Sequence, residues 1–126
     1  MPTYLSPEQL AGDLALRDLT DPDSGSHAIQ LLVDLAADTL NNAWDCAQRR
    51  SPGPRIVAIA DNYDNLAFTP DAASRDARHT RYVDQRQMLR SHASAMIPPA
   101  LRALAAEPVD DVLIVCPGIV FRRDAK

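Results

Sequence analysis

Met88-Leu89-Arg90-Ser91-His92-Ala93-Ser94, followed downstream by Val112-Leu113-Ile114-Val115-Cys116-Pro117-Gly118-Ile119-Val120-Phe121-Arg122-Arg123-Asp124, is the pair of stretches on which the reading of this chain turns. In extended backbone, alternate side chains leave the same face, so Arg90, His92 and Ser94 are expected to share one face of a strand running from Gln85 to Ser91 and just beyond. The second stretch is an apolar run, a Pro-Gly break, a second apolar run and then abrupt charge. That pattern predicts strands at Val112 to Cys116 and Ile119 to Arg122, paired antiparallel across Pro117-Gly118.

Working outward, Ile29, Leu32, Ala36, Leu40, Ala43 and Ala47 recur at three and four residues, opposite Gln30, Asp34, Asp38, Asn41, Asp45 and Gln48. This predicts a helix from His27 to about Arg50. Leu35, Val33 and Trp44 widen its apolar arc beyond the needs of one contact face, so the helix is expected to bury two surfaces. Ser51-Pro52-Gly53-Pro54 ends it, and Ile56 to Ala60 reads as a short strand leading into a polar loop. Arg75 to Tyr82 fits a helix or a turn. Ser94 or Ala95 opens a helix reaching Ala106, which Pro98 and Pro99, lacking amide donors, either kink or restart at Pro99. At the start of the chain, Ser6 caps a helix that Pro7 begins and that runs to about Arg17, before Thr20-Asp21-Pro22-Asp23-Ser24-Gly25-Ser26 breaks it.

The 126 residues suit one domain with a real core. Thirteen Lys and Arg against seventeen Asp and Glu give a net charge of -4, so no global charge argues for a polyanion-binding surface. The distribution is uneven. Eight carboxylates precede residue 46, whereas Arg75, Arg78, Arg81, Arg86 and Arg90 gather in the middle, opposed only by Asp76 and Asp84. The two cysteines, Cys46 and Cys116, are read as buried free thiols. His27, His79 and His92 form no i, i+4 pair, which argues against zinc, and the scattered glycines do not make a phosphate-cradling loop. No charged start followed by an apolar core opens the chain, and its apolar runs are too short to span a bilayer, so a cytoplasmic protein is expected.

Leu89 to Ser94 resembles the Leu-Arg-Thr-His-Thr-Ser strand of class II aminoacyl-tRNA synthetases, and most closely that of the phenylalanyl-tRNA synthetase alpha subunit. Pro117 to Asp124 resembles the same family's motif 2 segment, Pro-Gly-x-Val-Phe/Tyr-Arg-x-Glu/Asp. Gly53 to Leu66 is similar to its Gly-Pro strand and Asp-Tyr-x-Asn-Phe-x-x-Leu continuation, and Thr69-Pro70 and Arg75-Asp76 fall where the family has a Pro and an Ala-Arg-Asp. The four matches are collinear and span about residues 27 to 124, leaving 1 to 26 as an N-terminal extension.

The resemblance implies an α/β fold of the α+β type: a mainly antiparallel sheet flanked by helices, the first half of a synthetase core with motif 1 and the start of motif 2. A parallel doubly wound sheet is the alternative architecture. It also implies ATP, with Mg2+, and an amino acid, phenylalanine or a relative, as substrates, with tRNA as an acceptor. Arg122 is the implied catalytic residue, meeting the α-phosphate of ATP, since a guanidinium fork matches phosphate oxygens and stays charged. Asp124 belongs to the same ATP site. His92 and Ser94, which can accept a hydrogen bond from an ammonium group, and Arg90 are the implied amino-acid-binding residues.

Other positions depart from the family pattern. Ile97 stands where the family commonly has a glutamine near the substrate, Ala93 for a threonine, Ile119 for an arginine or similar residue, and Arg78-His79 for a less basic, often aromatic pair. With motif 3 absent from these residues, the isolated chain is expected to adenylate poorly. The missing N-terminal tRNA-binding arm, with Ile97 and Ile119 at pocket positions, favours a second expectation, a non-catalytic synthetase-like binding or dimerisation module. The helix from His27 is expected to form a homo-oligomer or to pair synthetase subunits.

Overall fold

The computed structural model describes residues 3–124. Its elements in chain order are helix α1 (Pro7–Ala15), helix α2 (Ala28–Trp44), strand β1 (Ala47–Arg50), strand β2 (Ile56–Ala58), the short helix α3 (Ile59–Asn62), strand β3 (Gln87–Leu89), helix α4 (Ile97–Ala106) and strand β4 (Val112–Val115). Four single 3-10 turns lie between them, at Pro22–Ser24, Asp64–Leu66, Ala73–Arg75 and Ala93–Met96. Mixed helix and strand is therefore correct, but the strands form two two-stranded sheets, one of each sense. β2 runs antiparallel to β3, with Ile56 opposite Leu89, and β1 runs parallel to β4, with Ala47 opposite Val112.

Helix α1 starts as its sequence directs. Ser6 accepts from the Gln9 amide, the Gln9 side chain answers to the Ser6 amide, and Pro7 occupies the first turn, where no amide donor is needed. Helix α2 is capped by the His27 ring, whose Nδ1 accepts from the Ile29 amide at 3.1 Å. It stops six residues short of the predicted end, because Asp45 turns into the left-handed region (φ 49, ψ 53) and Ala47 to Arg50 leave as a strand. Short polar Asp tolerates that conformation. The helical spacing of Ala47 and Gln48 was outweighed by the backbone pairing that β4 offers.

Two further expectations are corrected. β4 does not form a hairpin with the segment after Pro117. Pro-Gly at the centre of a two-residue loop holds φ near −65° at the first position, whereas the tight hairpin turns need a positive φ there. β4 instead pairs with β1. In α4, Pro98 and Pro99 cause no kink, because both lie in the first turn of a helix that begins at Ile97.

The core gathers on the β2–β3 sheet: Val57, Tyr63, Met88, Ala95 and Met96, with Ile59, Phe68, Tyr82 and Cys116 against it. Gly53 (φ +65) passes so close to Met96 that a Cβ there would overlap the Met96 sulfur. Helix α2 buries only Gln30 and Ala37, so the expectation that it buries two surfaces is not met among the described residues. Leu35 and Trp44 are 63% and 62% exposed. Cys46 and Cys116 are free and half-buried. No helix among the described residues is long and apolar enough to cross a membrane.

Candidate functional site

The strand that ends at Leu89 continues its pairing through one more residue. Arg90 N–H donates to the Arg55 carbonyl at 2.9 Å, and the Arg90 carbonyl accepts from Phe121 N–H at 2.9 Å. The backbone then turns, and Ala93–Met96 is a 3-10 turn. The predicted alternation of three side chains on one strand face therefore ends before Ser94, which lies exposed in that turn.

Arg90 is 1% exposed. Its Nε donates to the Ile119 carbonyl at 2.7 Å and its Nη1 to the Pro52 carbonyl, while Nη2 lies 4.0 Å from Asp18 Oδ2. Burial pulls the guanidinium below its usual range, and the Asp18 charge opposes that. Asp18 is the reciprocal case. Burial alone would raise its carboxyl, but hydrogen bonds from the Thr20 hydroxyl and amide and the Ile119 amide, with the Arg90 charge, hold it below the usual range. Gly118 is dictated by this packing, since a Cβ there would fall on the Arg90 guanidinium. Neither Asp76 nor Asp84 pairs with Arg90: Asp76 pairs with Arg78, and Asp84 caps the turn before β3.

His92 is held from the other side by Asn62, at the end of α3. The Asn62 side chain is fully buried; it donates to the Ser91 hydroxyl at 2.8 Å and accepts from the Ser91 amide at 3.0 Å. The Asn62 carbonyl lies 2.7 Å from His92 Nε2. A carbonyl only accepts, so Nε2 carries the proton and the neutral ring keeps Nδ1 as an acceptor. Phe68 stacks on the imidazole at 5.5 Å and Tyr63 meets it edge-on at 6.1 Å. Tyr63 is itself fixed through its hydroxyl, which bonds the Ser74 carbonyl at 2.8 Å and the Thr80 hydroxyl at 2.6 Å.

Arg122 and Asp124 lie on the surface, each side chain 75% exposed, and pair with each other at 2.9 Å. Their segment is anchored by Phe121 on Arg90 and by Arg123 N–H on the His79 carbonyl at 2.8 Å. The structure thus joins Arg90 to the backbone carrying Arg122, and His92 to Asn62. Among the described residues no hydrogen bond links His92 or Ser94 to Arg122 or Asp124. Nor do three metal-ligating side chains converge among them.

Asn62, Tyr63, Phe68 and Asp18 are the residues that sequence reasoning did not single out for the site. For Asn62 and Tyr63 a signal existed in the Asp61 to Leu66 match. For Asp18 the available sign was Asp-x-Thr, which builds the Asx turn seen here.

The family model described as tRNA synthetases class II core domain (F) matches residues 14–126. The phenylalanine-tRNA ligase alpha subunit of Heliobacterium modesticaldum is 30% identical over 114 residues, covering 89% of this chain and 32% of that protein. The subunit of the same name from Mycolicibacterium gilvum is 34% identical over 116 residues, covering 89% and 31%. That from Corynebacterium efficiens is 34% identical over 102 residues, covering 78% and 28%. The chain spans about a third of the length of these relatives.

Proposed function

The chain belongs to the class II tRNA synthetase core family, and from that premise we propose that it carries the first part of a site for ATP-dependent activation of phenylalanine or a related amino acid, for transfer to tRNA. The observation that carries this reading is the match across nearly the whole chain to phenylalanine-tRNA ligase alpha subunits. A cytoplasmic setting follows from the same reading.

In this reaction the amino acid carboxylate attacks the α-phosphate of ATP and pyrophosphate leaves. Two anions must approach, so a cation fixed beforehand near the phosphate lowers the barrier without reorganising at the moment of reaction. Arg122 is that cation in this proposal. Its present partner Asp124 is exposed, and an exposed pair of this kind is worth about 0–1 kcal/mol, so a phosphate displaces it at little cost. Asp124, released, stays within the ATP site. His92 accepts a hydrogen bond from the substrate ammonium through Nδ1, the nitrogen left free by the Asn62 carbonyl. Ser94 supplies a second acceptor. Arg90 supports the amino acid site as part of its buried frame. ATP brings Mg2+ as its counter-ion.

The test is phenylalanine-dependent ATP–pyrophosphate exchange by the 126-residue chain alone and by the chain completed with the C-terminal part of a relative's alpha subunit. Exchange is expected only from the completed protein, with Arg122→Ala lowering it about 10²- to 10³-fold, the usual cost of removing one transition-state donor. Exchange that is indifferent to Arg122→Ala sinks the assignment. The second reading, a synthetase-like module that binds or dimerises without chemistry, is favoured by Ile97 and Ile119 at substrate-side positions and by the exposed apolar face of α2. A completed protein that folds and shows no exchange supports it.

A further inference from the structure

We propose that Asp18 is a positioning residue: with Arg90 it clamps Ile119 from both sides and so sets the path of the backbone that carries Arg122. The importance of that path rests on the functional reading above; the clamp itself rests on geometry.

The segment after Pro117 has no strand partner among the described residues, yet its direction must be defined if Arg122 is to meet a phosphate. Side chains supply the definition. Asp18 Oδ2 accepts from Ile119 N–H at 3.0 Å, and Arg90 Nε donates to the Ile119 carbonyl at 2.7 Å. Both polar groups of one peptide residue are thereby held by side chains from elements far away in sequence. The carboxylate is itself fixed, because its Oδ1 accepts from the Thr20 amide at 2.9 Å and the Thr20 hydroxyl at 2.7 Å. Two residues further on, Phe121 N–H donates to the Arg90 carbonyl. Arg90 thus touches the segment through both its side chain and its backbone, and Asp18 neutralises it at 4.0 Å where only 1% of its side chain and 13% of that of Asp18 meet solvent.

The rest of the N-terminal segment is moored to the same region. Asp13 pairs with Arg81 at 2.8 Å, the Asp13 carbonyl accepts from Arg55, and Leu5 N–H donates to the Tyr82 carbonyl. Asp18 is therefore delivered by a docked strap. A cleft of about 480 Å³ lined by Asp18, Arg55, Arg90 and Pro117 lies at this junction.

The experiment compares the full chain with its Asp18→Ala and Asp18→Asn variants by amide hydrogen exchange and by ATP titration. Asp18→Ala is expected to accelerate exchange at Ile119 and Phe121 while Val57 and Met88, in the β2–β3 sheet, keep their protection. Asp18→Asn, whose single carbonyl oxygen serves either the Ile119 amide or Thr20, is expected to restore part of that protection. ATP affinity should fall about tenfold in Asp18→Ala, since small displacements of a positioned group cost up to about 10²-fold. Unchanged exchange at Ile119 and Phe121 overturns the clamp. Equal acceleration across the β2–β3 sheet also overturns it, by reducing Asp18 to a general stabiliser. If the unaltered chain does not bind ATP, the functional reading fails by itself, and the clamp is judged on the exchange pattern.

Discussion

At the scale of single residues, this chain places its polar chemistry on side chains that hold backbone. Asn62 is the plainest case: fully buried, it satisfies the Ser91 amide and hydroxyl, and its carbonyl selects the His92 tautomer. Replacing it with alanine leaves the Ser91 amide without its partner, and an unmade buried hydrogen bond costs about 1–3 kcal/mol. Asn62→Ala is therefore expected to lower the urea unfolding midpoint by a corresponding amount. A midpoint unchanged by the alanine variant would show that water replaces the Asn62 amide at no cost. Arg90 is the more demanding case. An ion of this burial is tolerated because two carbonyls take its donors and Asp18 stands opposite, and removing one partner from such a pair typically costs about 3–5 kcal/mol.

At the scale of elements, α2 is the one whose sequence and surroundings disagree. Its apolar arc is wide, yet Leu31, Leu32, Leu35 and Trp44 are all more than half exposed, and only Gln30 and Ala37 are buried. A shallow groove of about 380 Å³ between α2 and β4, lined by Val33, Ala37, Leu40 and Leu113, shows how loosely the helix sits on its sheet. Apolar area left in water is penalised at roughly 25 cal/mol per Å². Self-association through this face, the expectation set out for the helix from His27, removes that penalty. Leu35→Glu is expected to shift sedimentation at micromolar concentration from dimer toward monomer while the far-ultraviolet circular dichroism stays the same. A monomeric unaltered chain at that concentration refutes the idea.

At the scale of the whole molecule, ion pairs rather than a large apolar core link the distant parts of the chain. Arg102 of α4 forms a bidentate pair with Asp61 of α3, at 2.9 and 2.8 Å, and Asp18 and Asp13 tie the N-terminal segment to Arg90 and Arg81. The Asp61 carboxyl is held below the usual range, by the Arg102 hydrogen bonds first, against the opposing effect of burial, with help from Asn65. Asp18 is lowered as well. A carboxyl depressed in the folded state contributes stability that is complete above its unfolded value, about 3.9, and that is lost as pH falls through the lower folded value. Stability is therefore expected to be flat near neutrality and to decline below about pH 4, and Asp61→Asn is expected to weaken the chain at pH 7 and to flatten that decline. Unfolding free energies that rise toward pH 3 would contradict the assignment.

What the sequence by itself determined is local and chemical. The cap and first turn of α1, the strand character of Ile56 to Ala58 and of Gln87 to Leu89, a helix reaching Ala106, and the motifs that mark a class II synthetase were all legible, because each rests on neighbouring residues or on a fixed order of residue types. Tertiary structure decided which strands pair and what the polar side chains do. Ala47 to Arg50 carry a helical pattern, and the chain made them a strand only because β4 presented free backbone groups from the far end of the sequence. Arg90 reads as a ligand-facing cation, and it became a buried anchor because Pro52, Ile119 and Asp18 converge on it from three separate places. Asp18 lies in a stretch that reads as a helix break, and its purpose appears only once the strap folds back. Such roles depend on long-range convergence of backbone carbonyls and charges, for which no local spacing provides a signal.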